Sequence, residues 1–312
     1  MNDPIAIIGA GVSGLTSGVI LAENGFEVRL FSADLLSETT SAVAAAMWFP
    51  YDAEPAEKVV PWALASYDVF RALSHDPATG VSMIELRQFR RSENLQIPAW
   101  AGTFSARSTR SNEFVMTVPL SDSSIYLEYL RTRLLAAGGT LTTGIRFEKA
   151  EAVDPAFDVV INCAGIGART LVGDPDLEPH RGQVALVEKL DLPGAVVCDD
   201  PPLMYVIPRT NDCVFGGTNE ISDNLVPDPD VTAAIMSECS AVLNIQPPRL
   251  IATRVGLRPY RKSGVRVAAD RLADGRAIIH NYGHGGAGFT LSWGCARTVL
   301  ELVKACASPK TR

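Results

Sequence analysis

The segment "IAIIGAGVSGLTSGVILAENGFEVRLFSAD", residues 5–34, contains a short apolar run, a glycine-rich turn, a helical apolar pattern and a second apolar run. These patterns predict a strand over Ile5–Ile8, a helix that extends to Ala22 and a strand over Glu27–Phe31. Such a βαβ unit with G-x-G-x-x-G at its first turn lets a pyrophosphate approach bare backbone at a helix N-terminus. We therefore expect a dinucleotide site made by Gly9, Gly11 and Gly14, together with Val12 and Ser13.

An acidic residue at the end of the second predicted strand narrows the choice of nucleotide. Asp34 lies twenty positions after Gly14, where a carboxylate hydrogen-bonds ribose hydroxyls. A carboxylate at this place disfavours a 2′-phosphate, so NADP is not expected. The motif itself leaves both NAD and FAD open.

Two further runs of strand type end in glycine-bearing turns. Phe157–Asn162 leads into a turn that contains Gly165, and Ala277–His280 leads into the glycine-rich segment 280–296, HNYGHGGAGFTLSWGCA. Ligands of doubly wound sheets gather beyond the carboxyl ends of the strands. We therefore expect these two strand ends and the first one to lie at one edge of a single sheet.

The segments between these strands have a different character. A helix is predicted around Ser123–Ala136, and the alternation of apolar and polar residues over Gln183–Gln246 is typical of antiparallel strands. The predicted fold class is α/β, with a Rossmann-like nucleotide-binding domain and an inserted antiparallel-sheet α+β substrate domain. The first domain is expected over residues 1–50, 141–186 and 252–312, and the second over 51–140 and 187–251.

Composition limits the function classes. With 312 residues, 47% hydrophobic and 20% charged, the chain is typical of a globular protein. A net charge of −7 without long runs of like charge argues against nucleic acid or an anionic membrane as partner. The six cysteines include no C-x-x-C pair, so no metal is expected. Neither a signal peptide nor a membrane span is predicted, and a cytoplasmic location is expected.

The segment after Asp34 is rich in small and hydroxyl-bearing residues. Thr39–Trp48 offers hydroxyl groups and bare backbone along which a larger cofactor could lie. The same residues predict a helix N-terminus capped by Thr40 or Ser41. The two interpretations are compatible, since a cap close to a pyrophosphate serves both.

Seven sequence blocks, in order, together resemble the D-amino-acid oxidase family of FAD enzymes over nearly the whole chain. They are GAGVSG (9–14), TTSAVAAAMWFPY (39–51), VINCAG (160–165), RGQ (181–183), YVIP (205–208), GLRP (256–259) and IIHNYGHGGAGFTLSWGCA (278–296). The resemblance implies FAD in the Rossmann-like domain. It also implies oxidation of a neutral D-amino acid by hydride transfer from Cα to flavin N5. The product hydrolyses to a 2-oxo acid and ammonia, and dioxygen is reduced to hydrogen peroxide.

The resemblance also assigns residues. Arg258 would hold the substrate carboxylate with its bidentate guanidinium, Tyr205 would add its hydroxyl, and the Gly286 carbonyl would accept from the amine. Phe49 would stand on the pocket side. N–H groups of the C-terminal glycine loop would stabilise charge on the reduced flavin. The expected cofactor residues are Gly9, Gly11, Val12, Ser13, Gly14, Asp34, Thr39, Thr40, Ser41, Ala45, Ala46, Met47, Gly165, Gly285, Gly286, Gly288, Phe289 and Thr290.

Alternatives stay open at this point. D-aspartate oxidase needs a further cation, for which Arg209 is the nearby candidate, whereas Asn219 and Tyr51 differ from the residues that such enzymes tend to carry. A glycine- or sarcosine-type amine oxidase, an NAD-dependent dehydrogenase and a flavoprotein without turnover are further possibilities.

Other features bear on the pocket and on the assembly. In vertebrate members of the family a second tyrosine lies on an active-site lid, a few residues before the YVIP block. Residues 199–204 of this chain contain no tyrosine, so a shorter lid is expected, and with it a pocket open to bulkier apolar substrates. His280 and His284 are expected to be structural residues of the loop. A homodimer is possible.

Overall fold

The computed structural model describes residues 4–50, 53–92 and 95–307. Over these residues the strands are β1 (Ile5–Ile8), β2 (Val28–Ser32), β3 (Val81–Phe89), β4 (Arg107–Arg110), β5 (Glu113–Ser121), β6 (Thr140–Thr143), β7 (Val159–Asn162), β8 (Leu177–Glu188), β9 (Gly194–Cys198), β10 (Met204–Pro208), β11 (Asp212–Gly216), β12 (Glu220–Ile221), β13 (Leu250–Arg261), β14 (Arg266–Arg271) and β15 (Ala277–Tyr282). The α-helices are α1 (Val12–Glu23), α2 (Thr40–Val43), α3 (Ala56–Leu73), α4 (Ser123–Ala136), α5 (Ala168–Leu171), α6 (Pro229–Leu243) and α7 (Gly288–Ala307). None of these helices has the length and apolar character needed to cross a membrane.

The first sheet has six strands in the order β14-β15-β7-β1-β2-β6. β1 pairs in parallel with both β2 and β7, and β7 pairs in parallel with β15. Parallel strands end at the same edge of a sheet, so the turns after β1, β7 and β15 lie side by side. The prediction that these three strand ends meet is confirmed.

Alternate residues of β1 face two different cores, as the period of a strand requires. Ile5 and Ile7 belong to the large cluster that includes Leu15 of α1, whereas Ala6 and Ile8 belong to a smaller cluster with Phe157. The sheet is therefore covered on both faces, which is the usual environment of parallel strands. This burial fixes the turn after β1 relative to its neighbours.

The second sheet has nine strands, in the order β12-β8-β11-β10-β9-β3-β5-β4, with β13 beside β8. Its pairings are antiparallel, as predicted, with the exception of β3 and β9, which run parallel. This parallel contact joins two parts of the chain that are far apart in sequence. The sheet supplies the wall that faces the three turns of the first sheet.

One helix was not expected in this part of the chain. Residues 229–243 were predicted as strands, but they form α6. Asp228 caps the helix by accepting from the N–H groups of Asp230 and Val231, and Pro229 occupies its first turn. Proline at this position has no N–H to leave unpaired. The prediction was wrong because this capping signal was overlooked.

The longest strand pair lies beside the cavity described below. β8 and β13 run antiparallel from Leu177 opposite Arg261 to Val187 opposite Leu250. The predicted domain boundaries after residues 186 and 251 fall inside these two strands. The division into two domains stays a prediction.

Candidate active site

A cavity of about 630 Å³ lies between the carboxyl ends of the first sheet and the face of the second sheet. Its volume is within the range of small-molecule and cofactor pockets. Of the residues predicted for the site, those that line it are Gly9, Gly11, Val12, Ser13, Asp34, Thr39, Thr40, Ser41, Ala45, Ala46, Met47, Phe49, Gly165, Tyr205, Arg258, Gly285, Gly286, Gly288, Phe289 and Thr290. Residues predicted from distant parts of the chain therefore share one cavity.

Gly14 is the predicted site residue that does not line this cavity. A β-carbon placed on Gly14 would lie 1.8 Å from the carbonyl oxygen of Gly9. The residue lets α1 start directly against the turn, which is a packing role rather than a contact with a ligand. Gly9 itself has φ +106°, and a β-carbon there would lie 2.3 Å from the Cys163 carbonyl oxygen.

The N-terminus of α1 is open to an anion. Gly11, its N-cap residue, makes no capping hydrogen bond through a side chain, and the first turn contains no acidic residue. The Val12 N–H donates to Ser41 Oγ at 3.0 Å, which joins α2 to this turn. The partial positive charge of the helix end is therefore not neutralised by an acidic side chain of the turn itself.

The cap of α2 differs from the expectation. Thr39 caps this helix, since its side chain accepts from the Ala42 N–H at 3.3 Å. Thr40 was expected as a possible cap, but it lies within the helix, and its hydroxyl donates to the Leu257 carbonyl at 3.3 Å. Ser41, the other expected cap, is also within the helix and serves the α1 turn instead.

Asp34 lies at the far end of the cavity. Its carboxylate accepts from Arg146 Nη2 at 3.3 Å, and both side chains are more than half exposed. An exposed ion pair of this kind is weak, so the carboxylate stays available to hydroxyl groups of a ligand. Arg146 follows β6 and carries no local sequence signal of this contact.

The glycine-rich loop between β15 and α7 lines the cavity through residues 284–286. Gly283 and Gly285 have φ +81° and +51°, values that favour glycine. The Gly285 N–H donates to the Pro259 carbonyl at 2.9 Å, and the Ala287 N–H donates to the His284 carbonyl at 2.9 Å. These two N–H groups are thus used within the protein, so the expectation that the loop offers its N–H groups to a ligand does not hold for them.

Both histidines of this region are buried, and burial lowers the pKa of each to about 4. His284 lines the cavity, with Nε2 3.0 Å from Asn281 Oδ1 and Nδ1 3.5 Å from Ser13 Oγ. His280 lies on β15, in agreement with the strand predicted over Ala277–His280. Within the described part of the chain, no cluster of three or more His, Cys, Asp or Glu residues could hold a metal ion.

Arg258 projects from β13 into the cavity wall. Its Nη1 donates to the Thr218 carbonyl at 2.8 Å and to Asn219 Oδ1 at 3.5 Å. Both acceptors are neutral, so these bonds orient the guanidinium without balancing its charge. A β-carbon on Gly182 of β8 would come within 2.5 Å of Nη2, so the missing side chain there makes room for the guanidinium.

Tyr205 lies beside Arg258, and its ring rests on bare backbone. A β-carbon on Gly216 would lie 2.0 Å from Tyr205 Cζ, and one on Gly217 would lie 2.8 Å from the hydroxyl oxygen. Burial raises the pKa of the Tyr205 hydroxyl, although the charge and hydrogen bond of Arg258 act in the opposite direction. The hydroxyl therefore stays protonated at neutral pH, as a hydrogen-bond donor next to a cation.

Thr290 and Phe49 are also in direct contact. The Thr290 hydroxyl donates to the Phe49 carbonyl and accepts from the Phe49 N–H, both at 3.0 Å. The ring of Phe49 packs edge-on against Trp100, with 5.6 Å between ring centroids. Thr290 thus fixes the backbone of Phe49, a role for its hydroxyl that the sequence did not indicate.

Comparison with known proteins identifies this arrangement. A family model described as "FAD dependent oxidoreductase" (DAO) matches residues 4–302. The chain belongs to the DAO family. A D-amino-acid oxidase of Rubrobacter xylanophilus is 40% identical over 315 residues, which cover 97% of this chain and 96% of the relative. A D-amino-acid oxidase of Streptomyces coelicolor is 41% identical over 313 residues, which cover 96% of each chain.

The DAO-family fold is also found among solved structures. Glycine oxidase from Geobacillus kaustophilus has a TM-score of 0.81 and covers 96% of this chain and 94% of its own. Its sequence identity is 18%, so this likeness shows the shared fold alone. The predicted α/β fold class is confirmed.

The cofactor of this DAO-family chain is FAD, and the residues present fit it. The open N-terminus of α1 suits a pyrophosphate, and Asp34 suits ribose hydroxyl groups. The small residues Ala45 and Ala46 line the same cavity as Arg258.

Several DAO-family cavity residues were not predicted. They include Gly182, His284, Arg146 and Asp199. Gly182 lies within the RGQ block, but the block gives no indication of its closeness to Arg258. Asp199 belongs to the segment expected to form the lid, but its place in the cavity wall depends on pairing between strands.

Arg209 and Tyr51 bear on whether the substrate carries a second carboxylate. Arg209 is buried and pairs with both carboxylate oxygens of Asp212, at 2.7 and 2.8 Å, and it does not line the DAO-family cavity. It is therefore not available to a substrate carboxylate. Tyr51 lies outside the described residues.

Proposed function

We propose that this chain is a D-amino-acid oxidase. It converts D-amino acids with neutral side chains into 2-oxo acids and releases ammonia and hydrogen peroxide. The observation that carries the proposal is the Arg258–Tyr205 pair, a cation and a hydroxyl donor in the same cavity as the nucleotide turn. The similarity to D-amino-acid oxidases over nearly the whole chain supports it.

Each residue of the pair has a defined task. Arg258 binds the substrate carboxylate through two parallel N–H donors, and Tyr205 adds a third donor from its protonated hydroxyl. The Gly286 carbonyl accepts from the substrate amine, which places the α-hydrogen. When bound, FAD supplies the acceptor for the hydride of Cα and delivers the electrons to dioxygen.

In this reaction the main task of the protein is to orient the substrate, and proton transfer by a side chain matters less. A near-attack geometry depends on groups that hold the carboxylate and amine at fixed places. His284 has a pKa lowered to about 4 by burial and contacts Asn281, so it serves the loop as a neutral residue. Phe49, held by Thr290, closes the apolar side of the pocket.

D-aspartate oxidase is the alternative with the same fold, and glycine- or sarcosine-type oxidases are another. The engagement of Arg209 by Asp212 disfavours a substrate with a second carboxylate. The pocket wall formed by Val197, Leu203 and Ile207 accommodates apolar side chains larger than that of glycine.

The substrate proposal is tested by peroxide release from the purified holoenzyme. We expect peroxide with D-alanine and D-methionine and none with the L-forms. D-aspartate, glycine and sarcosine should react far more slowly. A yellow protein that gives no peroxide across a panel of D-amino acids would contradict the proposal, and a clear preference for D-aspartate or glycine would favour an alternative.

The role of Gly182 gives a second prediction. In Gly182→Ala the new methyl group occupies the space of the guanidinium, so Arg258 must move although it is still present. A displacement near 1 Å at an orienting group costs about 10²-fold in rate, so kcat/KM for D-methionine should fall by about that factor. Gly102→Ala, where a β-carbon meets nothing within 4 Å, is the control. Equal activity of the two variants would remove Gly182 from the site.

The homodimer and the cytoplasmic location stay predictions. Sedimentation of the holoenzyme measures the first of these directly.

A further inference from the structure

Asp199 is an acidic residue in the wall of the cavity. In the β9–β10 hairpin Val197 stands opposite Tyr205, and Asp199 follows the last residue of β9. Val197 and Asp199 both line the cavity, as residues two apart on one face of a strand do. A rise of about 3.3 Å per residue puts Asp199 about 7 Å along the strand from the partner of Tyr205.

A glutamine on the neighbouring strand contacts this acid. Gln88 of β3 stands opposite Val197, is 5% exposed, and donates from Nε2 to Asp199 Oδ2 at 2.7 Å. The other two oxygens, Gln88 Oε1 and Asp199 Oδ1, are enclosed. Neither has a hydrogen-bond partner in the described part of the chain.

Gln88 and Asp199 are joined by a hydrogen bond, yet their two remaining oxygens are enclosed acceptors without a hydrogen-bond donor between them. A proton on Asp199 Oδ1 would supply it, since the acid could then donate to Gln88 Oε1 while it accepts from Nε2. An enclosed oxygen without a donor is unfavourable, so this arrangement is preferred over an ionised carboxylate. Burial raises the pKa of the Asp199 carboxyl, against the opposite influence of Arg90.

The other charged groups nearby are engaged elsewhere. Arg90 is exposed and lies 3.8 Å from the carboxylate of Asp200, the residue that follows Asp199. The backbone N–H of Arg91 donates to the same carboxylate at 2.8 Å, and its guanidinium pairs with Glu238 of α6 at 2.6 Å. The charge of Asp200 is therefore balanced, and of these two neighbouring acids it is Asp199 that lines the cavity.

We propose that Asp199 is a specificity-determining residue, held as a neutral acid by Gln88, that ionises to receive a cationic substrate side chain. The inference rests on the proposed function, in which Arg258 holds the substrate carboxylate. While Asp199 is protonated, a neutral side chain meets an uncharged wall. An ammonium or guanidinium group is poorly accommodated beside the neutral acid and is well paired beside the carboxylate. Basic D-amino acids thus become substrates as pH rises.

Kinetics with a matched pair of substrates tests this. D-lysine and D-norleucine differ by the terminal ammonium, so the ratio of their kcat/KM values isolates its recognition. In the wild type this ratio should rise about tenfold across the pH range in which the holoenzyme stays folded, as expected for one charge-assisted hydrogen bond. Asp199→Asn donates from its amide to Gln88 as the neutral acid does, but it cannot ionise. Its ratio should stay flat across the same pH range, and it should still oxidise D-norleucine.

An infrared measurement tests the neutral acid without turnover. The holoenzyme should show the C=O band of a protonated, buried carboxyl group, absent in Asp199→Asn and present in Asp200→Asn. A band that persists in Asp199→Asn overturns the inference, as does a flat D-lysine ratio in a wild type that oxidises D-norleucine. If no D-amino acid is oxidised, the proposed function fails instead, and the band still reports the state of the acid.

Discussion

Replacing Arg258 by alanine is expected to lower kcat/KM for D-methionine by about two to nearly four orders of magnitude, about 3–5 kcal/mol of lost stabilisation. The guanidinium is bonded to the neutral acceptors Thr218 and Asn219, so its charge is directed at the substrate carboxylate. Its removal leaves that carboxylate unpaired in a largely enclosed cavity. Steady-state kinetics of peroxide release would measure the effect.

The control for this variant is Arg254→Ala on the same strand. Arg254 is exposed and does not line the cavity, so activity should stay within twofold or so, as for ordinary surface substitutions. Both variants should retain the visible absorption of bound flavin. Full turnover of Arg258→Ala, with flavin bound, would refute the assigned role of the guanidinium.

Gly14→Ala should prevent recovery of flavin-containing protein. Its β-carbon would lie 1.8 Å from the Gly9 carbonyl oxygen, a backbone atom that cannot rotate away. Relief requires α1 to move off the turn after β1, at a cost of about 3 kcal/mol or more by analogy with overpacked cores. The free energy of unfolding and the flavin content per chain would be measured together.

The matched control is Gly18→Ala, one turn further along α1. There the new β-carbon lies 3.3 Å from Leu134 Cδ1 and 3.5 Å from Ile7 Cδ1, both ends of flexible side chains. The gain in helix propensity, about 1 kcal/mol, should offset the tighter contact. If Gly14→Ala binds flavin as Gly18→Ala does, the close approach of α1 to the turn is not required.

The nucleotide-binding sheet could be predicted because its signals are local. The turn at Gly9 and the apolar period of α1 lie within one short segment, and parallel pairing places the other two strand ends beside it. Helix α6 was missed although its signals are local too. Its cap at Asp228 and the proline after it are also local signals, but the alternation of the flanking residues was given more weight.

The site could be predicted in part. The resemblance indicated Arg258 and Tyr205, which the structure places side by side, yet nothing in the sequence shows that Gly182 and Gly216 make room for them. Asp199 and Gln88 are 111 positions apart, and their contact depends on the pairing of β3 with β9. Single-sequence patterns carry no information on such pairing.

The ladder of β8 and β13 separates two kinds of recognition. It carries Arg258, the proposed binder of the carboxylate that every amino acid possesses, whereas the loop of residues 199–203 between β9 and β10 lies beyond β11 in the sheet and contributes to the side-chain end of the pocket. Exchanges in this loop can change the substrate range while Arg258 and Tyr205 keep their places. Diversification of the enzyme, in nature or by directed evolution, therefore belongs in residues 199–203 rather than in the ladder.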